Sequence, residues 1–497
     1  MSVKKSQNQL PPSERAAKSV NQKSNQAWFG RGLWFGLGIT SVALVSATAG
    51  ALLAVCFASR TLMQSQLNQK QAAVFDGERI SGAGLQLTQL TRPVNILVLA
   101  MSVLPDDVKH PPPDTLHLSY SPQLNSFEGL SDTMLLLRFE PQTQKMVVLS
   151  IPRDTRTSVS GHGVEKINAA NQLGGVALSA KTVSALLEGV QIDRYLRINV
   201  EGFAKLVDAL GGIDFYVPKD MKYKDDTQHL YINLKAGQQH LNGDQALQLL
   251  RFRYDALGDI GRIQRQQLVM RALIEQSLNP VTLAKFPQIL AVIQSYIDTN
   301  FTVDELFSVL GFAASTNRSN LKMLMMPGRF SEPHEYNTSY WLPNQKGIAA
   351  LMAQHFDLTD HSPQKTTDLA SLKITIQDSI GQSKAVRALV RRLAASGYPN
   401  VQLAQPWPEP LSVTYIVAQQ GDSDSAEAIK SALGFGEVRV ESTGILGSDV
   451  TIHLGKDWLS RTKNSVGVTK GNLGKKASSK RDLRPTLPKH VSVNHPI

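Results

Sequence analysis

The chain has a single cysteine, Cys56, among 497 residues, so an intrachain disulfide is excluded. The thiol lies in an apolar run and reads as a small buried hydrophobe. The histidines at 110, 117, 162, 229 and 240 lack metal-ligand spacing, and tandem repeats are absent. Basic character is missing where a nucleic-acid-binding fold would need it. The net charge is +11, but residues 1–31 carry +5 and residues 461–497 carry +8, which leaves −2 for the middle. That distribution argues against a dedicated nucleic-acid-binding fold, and no nucleic-acid partner is expected. Both tails are rich in Ser, Asn, Lys, Gln and Pro and poor in aromatics, a composition that does not support a core.

Residues 32–59 contain no charged side chain. Such a run is long enough to cross a bilayer, which takes roughly 20 apolar residues. Arg31 and Arg60 bracket it, and Trp28, Phe29, Trp34 and Phe35 suit an interfacial belt. A cleaved signal peptide is the alternative, but the run is long and its basic lead extended. The excess of Lys and Arg before the run places the N-terminus in the cytoplasm and the rest outside the membrane.

The remainder of the chain reads as a stalk (60–92), a large α/β unit (93–357), a polar linker (358–371), a small α/β unit (372–458) and a basic tail (459–497). Val94–Ala100, Thr133–Phe139 and Met146–Ile151 are candidate strands, the last two joined as a hairpin by Glu140-Pro141-Gln142-Thr143. A Pro-rich loop fills residues 101–131. Helical pattern at 178–187, 201–210, 243–250 and 261–278 alternates with strands at 194–200, 213–217 and 231–234, and a further strand is expected at 322–326. Gly211-Gly212 stops the second of these helices. The alternation predicts a layered α/β/α domain with a central mixed sheet, a second small α/β domain and one N-terminal transmembrane helix.

The segment Arg251-Phe252-Arg253-Tyr254, followed by Gly261-Arg262-Ile263-Gln264-Arg265-Gln266-Gln267, places four arginines within fifteen residues. Arginine keeps its charge and its fork matches phosphate oxygens. One reading is a pyrophosphate cradle; the other is a solvated helix start with ion pairs to Asp255 and Asp259. Helical spacing puts Arg262 and Gln266 on one face. Arg251 and Arg253 alternate, so on a strand-like segment they would face one side. Asp132 sits at the start of a buried strand, where it can be held rigidly or can cap the adjacent turn. Arg153 follows Pro152 at a strand end, the region where α/β folds bind ligands; a loop contact with Asp154 is the alternative.

Ser131-Asp132-Thr133, Ser150-Ile151-Pro152-Arg153-Asp154-Thr155, Glu165-Lys166-Ile167-Asn168, Leu210-Gly211-Gly212-Ile213, Leu241-Asn242-Gly243-Asp244-Gln245-Ala246-Leu247 and the arginine cluster occur in this order. Together they resemble the LytR-CpsA-Psr family, and residues 372–458 resemble its LytR C-terminal domain. The resemblance implies a membrane-anchored phosphotransferase that moves a glycopolymer from a polyprenyl-pyrophosphate carrier onto peptidoglycan. It implies Asp132 as ligand of Mg²⁺ (or Mn²⁺), or as the base for the acceptor proton. Asp132, Arg153 and Arg262 become the catalytic residues, and Arg153, Lys166, Arg251, Arg253, Arg262 and Gln266 the diphosphate ligands. Asn168 would lie nearby, although a structural turn explains Lys166 and Asn168 almost as well. Two positions depart from the pattern: Leu130 stands where many relatives have Arg, and the segment ending at Ser102 where many have Asp. A second metal carboxylate is then expected from Asp106, Asp107 or Asp114, or from phosphate oxygens and water. A non-catalytic module that binds lipid-linked polymer, and a pyrophosphatase at the same site, are the alternatives. Every residue with an implied role precedes residue 280, so the small C-terminal unit is expected to be dispensable for chemistry.

Overall fold

The computed structural model describes residues 62–82, 89–101, 127, 129–225, 230–252, 258–279, 281–282, 285–358 and 369–460. All of them fall in one compact unit that begins at Leu62. Elements in chain order are α1 (Gln69–Ala72), β1 (Val94–Met101), β2 (Ser131–Glu140), β3 (Lys145–Ile151), β4 (Arg156–Val159), β5 (Gly163–Lys166), α2 (Ala169–Leu186), β6 (Arg194–Ile198), α3 (Val200–Leu210), β7 (Ile213–Val217), β8 (Met221–Asp225), β9 (Leu230–Leu234), β10 (Gly237–Leu241), α4 (Gly243–Arg251), α5 (Gly258–Ser277), α6 (Phe286–Tyr296), β11 (Ile297–Thr299), α7 (Val303–Ser315), β12 (Leu321–Met325), β13 (Gly328–Phe330), β14 (Trp341–Pro343) and α8 (Gln345–His355). The C-terminal part adds β15 (Ile374–Asp378), α9 (Ser383–Ala395), β16 (Val401–Leu403), β17 (Tyr415–Ala418), α10 (Ser423–Leu433), β18 (Glu437–Arg439) and β19 (Val450–Leu454).

The central sheet has the order β11-β6-β1-β2-β3-β12. β1 is antiparallel to β2 and parallel to β6, and β12 runs parallel to β3, so the sheet is mixed. Its strands are apolar on both faces, as a sheet covered on both sides must be. On one face Leu97, Leu136 and Leu149 pack with Ala177 and Ala180 of α2 and Met352 of α8 in the main core. On the other face Leu135, Val148 and Met323 line a cavity shared with Met270 of α5. A second mixed sheet, β16-β15-β19-β17-β18, carries its own core with α9 and α10.

Several motif glycines are structural. Gly211 closes α3 in the left-handed region (φ +95°). A Cβ on Gly243 would come within 2.2 Å of the Ala204 carbonyl, so only glycine lets α4 start against α3. Asn242 caps that helix in a box with Gln245. α2 begins nine residues before the helix expected at Leu178, because it runs through a kink at Gly174-Gly175 that masks its periodicity.

Two expectations need correction. Residues 62–82 are not a free stalk. Phe75 joins the main core, and Ile80 is fully buried. Arg197 Nε donates to Asp298 at 2.6 Å, and Ser65 Oγ donates to the same carboxylate oxygen at 2.9 Å. Arg194 spans from Glu305 to the carbonyls of Asp76 and Glu78. The strand-like reading of Arg251 also fails, since α4 carries on through it. Arg253, the Pro-rich loop from Ser102 to residue 126, the 32–59 run and both tails lie outside the described residues. Among the described residues no helix is long and apolar enough to cross a membrane.

Two buried histidines set an acid limit. His355 and His453 are held down to about 3, chiefly by burial, with Lys322 and Lys145 adding to it for His355 and Arg271 for His453. In the unfolded chain each titrates near 6.5. Between these values the unfolded state binds protons that the folded state refuses. Stability is thus complete above about pH 6.5 and falls below it, by roughly 1.4 kcal/mol per pH unit per histidine. Urea midpoints at pH 7 and pH 5 should differ accordingly, and His355→Gln should remove about half of the difference attributable to the pair. Equal midpoints in the wild type would contradict this.

Candidate active site

The site is built where β3 ends and β2 begins. The Glu165–Asn168 segment ties the two together. Ile167 N donates to the Thr155 carbonyl at 2.8 Å, and Asn168 N to the Arg153 carbonyl at 3.2 Å. The Asn168 carbonyl in turn accepts from Ser131 N at 3.3 Å. Ile167 is fully buried and anchors the segment. Thus Asn168 is a structural clamp that fixes Asp132 and Arg153 relative to each other.

Arg153 Nη1 donates to Asp132 Oδ1 at 2.5 Å, and its Nε lies 3.4 Å from Asp154. Lys166 Nζ donates to Asp154 Oδ1 at 2.7 Å. The result is an alternating row of Asp132, Arg153, Asp154 and Lys166, each half-buried. The two carboxylates neutralise the two cations, and a diphosphate must compete with them. Asp132, Arg153, Asp154 and Gln266 line one small cavity of about 50 Å³, floored by Leu135, Val148 and Met323. The expected juxtaposition of Asp132, Arg153 and Gln266 is therefore present, although 134 residues separate the first from the last. Lys166 reaches the cavity only through Asp154, and Arg251 is not among its lining residues. Arg262 lies in α5 one turn before Gln266, and its side chain falls outside the described residues. Arg265 turns away: it donates to the Phe252 carbonyl and stacks over that ring.

The sequence reading missed three groups. Gln267 is buried in the cavity wall with both amide atoms unpartnered, and Trp341 Nε1 is likewise buried and unpartnered. Buried polar atoms normally have partners, so such orphans facing a cavity mark a place for ligand atoms. The pairing of Gln267 with Gln266 in sequence was the available signal. The third is Ser442, which lines the same cavity from the C-terminal part. Met323 N donates to the Val440 carbonyl and Ser442 N to the Met323 carbonyl, both at 2.8 Å, so residues 440–442 extend the outer edge of β12. Arg271 Nη1 donates to Glu441 at 3.0 Å. The C-terminal part, which has its own sheet and core, is thus also joined to the site.

No cluster of three or more acidic, His or Cys side chains suited to a metal occurs among the described residues. Asp132 offers a hard oxygen ligand, but completing an octahedral shell needs oxygens from substrate and water.

Residues 58–357 match the LytR_cpsA_psr family, and residues 371–458 match the LytR cell envelope-related transcriptional attenuator domain. A Bacillus cereus protein named polyisoprenyl-teichoic acid–peptidoglycan teichoic acid transferase TagU is 40% identical over 184 residues, which span 37% of this chain and 58% of that relative. The TagU of Bacillus cereus strain AH820 is 33% identical over 333 residues, covering 66% of this chain and 98% of the relative. A crystal structure of B. subtilis TagV is 27% identical, covers 54% of this chain and 99% of that one, and has a TM-score of 0.44. The family match covers well over half of the chain, and the protein belongs to the LytR_cpsA_psr family.

Proposed function

We propose that the protein is a membrane-anchored phosphotransferase that moves a glycopolymer from a polyprenyl-pyrophosphate carrier onto peptidoglycan. The observation that carries this reading is the Asp132–Arg153 pair, set with Gln266 in one apolar-floored cavity. The names of the relatives support it: they are transferases of teichoic acid from a polyisoprenyl carrier to peptidoglycan. The uncharged run 32–59 supplies the anchor, with the catalytic part outside the cytoplasmic membrane.

In this reading the acceptor hydroxyl oxygen attacks the phosphorus proximal to the polymer. The bond from that phosphorus to the bridging oxygen breaks, and polyprenyl phosphate leaves with the bond's electrons. Arg153 exchanges Asp132 for the diphosphate, where its fork stabilises charge that grows on the oxygens. Gln266 and Gln267 present amide N–H groups to the same anion. Arg251, Arg253, Arg262 and Lys166 are further diphosphate ligands in this proposal. Asp132 takes the acceptor proton or holds Mg²⁺ (or Mn²⁺), which when bound would offset diphosphate charge.

The test is transfer itself. The full chain in detergent micelles, given a polyprenyl-pyrophosphate-linked oligosaccharide and peptidoglycan, should attach labelled saccharide to the wall polymer. Release of label to water alone would favour a pyrophosphatase, and no turnover a binding module. Arg153→Ala should weaken binding of the diphosphate lipid at least tenfold, about 1.4 kcal/mol, since one bidentate charge-assisted contact is lost. Unchanged affinity would move the diphosphate elsewhere.

A further inference from the structure

A second, larger cavity of about 1000 Å³ lies between α5 and the β7–β8 region on one side and the C-terminal part on the other. We infer that this cleft binds a neutral, hydroxyl-rich glycan segment, with Trp407 as its stacking platform. The inference deepens the proposed function by naming a place for the sugar chain, and it rests on that reading for the identity of the glycan.

The cleft wall is preorganised. Trp407 stands in Gln405-Pro406-Trp407-Pro408-Glu409-Pro410, where three prolines restrict the backbone. Its backbone N–H donates to the Asp378 carbonyl at 3.0 Å, and Ala404 N donates to the Ile376 carbonyl at 3.0 Å, so the segment is pinned to β15. One face of the indole stacks on His453 at 3.9 Å, and the side chain is only half-buried. An aromatic ring held in this way offers its remaining surface to the apolar face of a sugar ring. Two polar groups in the wall wait for partners. Gln377 Oε1 and His453 Nε2 are unpartnered, on side chains that are 7% and 2% exposed. Both residues line the cleft. One is an amide acceptor and the other a neutral imidazole nitrogen, the hydrogen-bonding types that match hydroxyl and acetamido groups.

Charge selects against a polyanion. Arg271 is already paired with Glu275 and Glu441. Arg439 lies 3.4 Å over the Tyr415 ring and 3.5 Å from Glu437. Arg265 is committed to the Phe252 carbonyl. The cations deep in the cleft are thus engaged. Lys219 and Arg318 line it from exposed positions, where solvent screens their charge, and Lys219 lies 5.6 Å over the Phe252 ring.

The cleft also adjoins the chemistry. Gln264 and Arg265 of α5 line it, while Gln266 and Gln267 line the Asp132 cavity. On the opposite wall Thr443 lines the cleft and Ser442 the cavity. A glycan held here lies about one helix diameter, roughly 10 Å, from the reacting centre.

The test uses the full chain and a soluble N-acetylglucosamine hexamer, with inorganic polyphosphate as the anionic control. Calorimetry should show hexamer binding that polyphosphate does not displace. Trp407→Ala should weaken it at least tenfold, Trp407→Phe by less than threefold, and Arg153→Ala not at all. Hydrogen exchange on the unaltered chain guards against a misfolded variant: the hexamer should protect residues 403–411 and 264–275. No binding, protection confined to residues 131–154, displacement by polyphosphate or an unaffected Trp407→Ala would each overturn the inference. A failed transferase assay with hexamer binding intact would overturn the proposed function and leave the cleft standing.

Discussion

Asp132→Asn is expected to abolish glycopolymer transfer while diphosphate-lipid binding survives. The substitution keeps the side chain's shape and removes its charge. Arg153 then faces a neutral amide in place of the carboxylate it meets at 2.5 Å, while its contact with Asp154 remains, so the diphosphate competes with one charge fewer and lipid affinity should stay level or rise. Turnover should fall by a factor on the order of 10³ or more, since either the base or the metal ligand is gone. Both roles predict this loss, and Mg²⁺ titration separates them. If Asp132 is the ligand, a carboxylate already paired with Arg153 should bind the ion weakly until the diphosphate adds oxygens. Mg²⁺ affinity should then rise with lipid in the wild type and not in Asp132→Asn. If Asp132 is only the base, the variant should keep the wild-type Mg²⁺ response. Measured transfer near the wild-type rate would remove Asp132 from the chemistry altogether.

Local signals in the chain located most of the elements. β7 has the bounds that its apolar run suggests, and α3 ends at the glycine pair that stops it. Asp132, Arg153 and Gln266 were legible because each lies in a motif with its own local geometry: a strand start, a Pro-fixed strand end and a helix face. Trp341 and Ser442 were not, because nothing local marks them, and Gln267 was marked only by its place beside Gln266. They become wall residues only when α5, β14 and the C-terminal part close on one sheet face. The segment before β1 was misread for a related reason. Its Gln and Ser content suggests a tether, whereas two buried ion pairs far along the chain, Arg194–Glu305 and Arg197–Asp298, tie it down. Motif order also gave Gly243 a functional look where its work is structural, at the α3–α4 contact.

Removing residues 366–497 is expected to lower both stability and transfer, against the dispensability that the motif positions alone suggest. Three losses coincide. The Met323 backbone N–H and carbonyl lose Val440 and Ser442 as partners, which reopens the outer edge of β12. Arg271 loses Glu441 and keeps only the helical Glu275. Ser442 leaves the wall of the Asp132 cavity, and water enters a site whose electrostatics depend on excluding it. Glu441→Ala tests the second loss, together with the hydrogen bond that the Thr443 hydroxyl donates to Glu441. Glu441 is 5% exposed, and breaking such a pair costs several kcal/mol when the remaining charge is buried. With Glu275 still present, about 2–4 kcal/mol is expected, seen as a lower urea midpoint at unchanged slope. The truncated chain should melt lower still and transfer at least tenfold more slowly at a temperature where it remains folded. A truncated chain with the full chain's midpoint and turnover would make the C-terminal part dispensable for chemistry, and would require Ser442 and Glu441 to contribute nothing to the site.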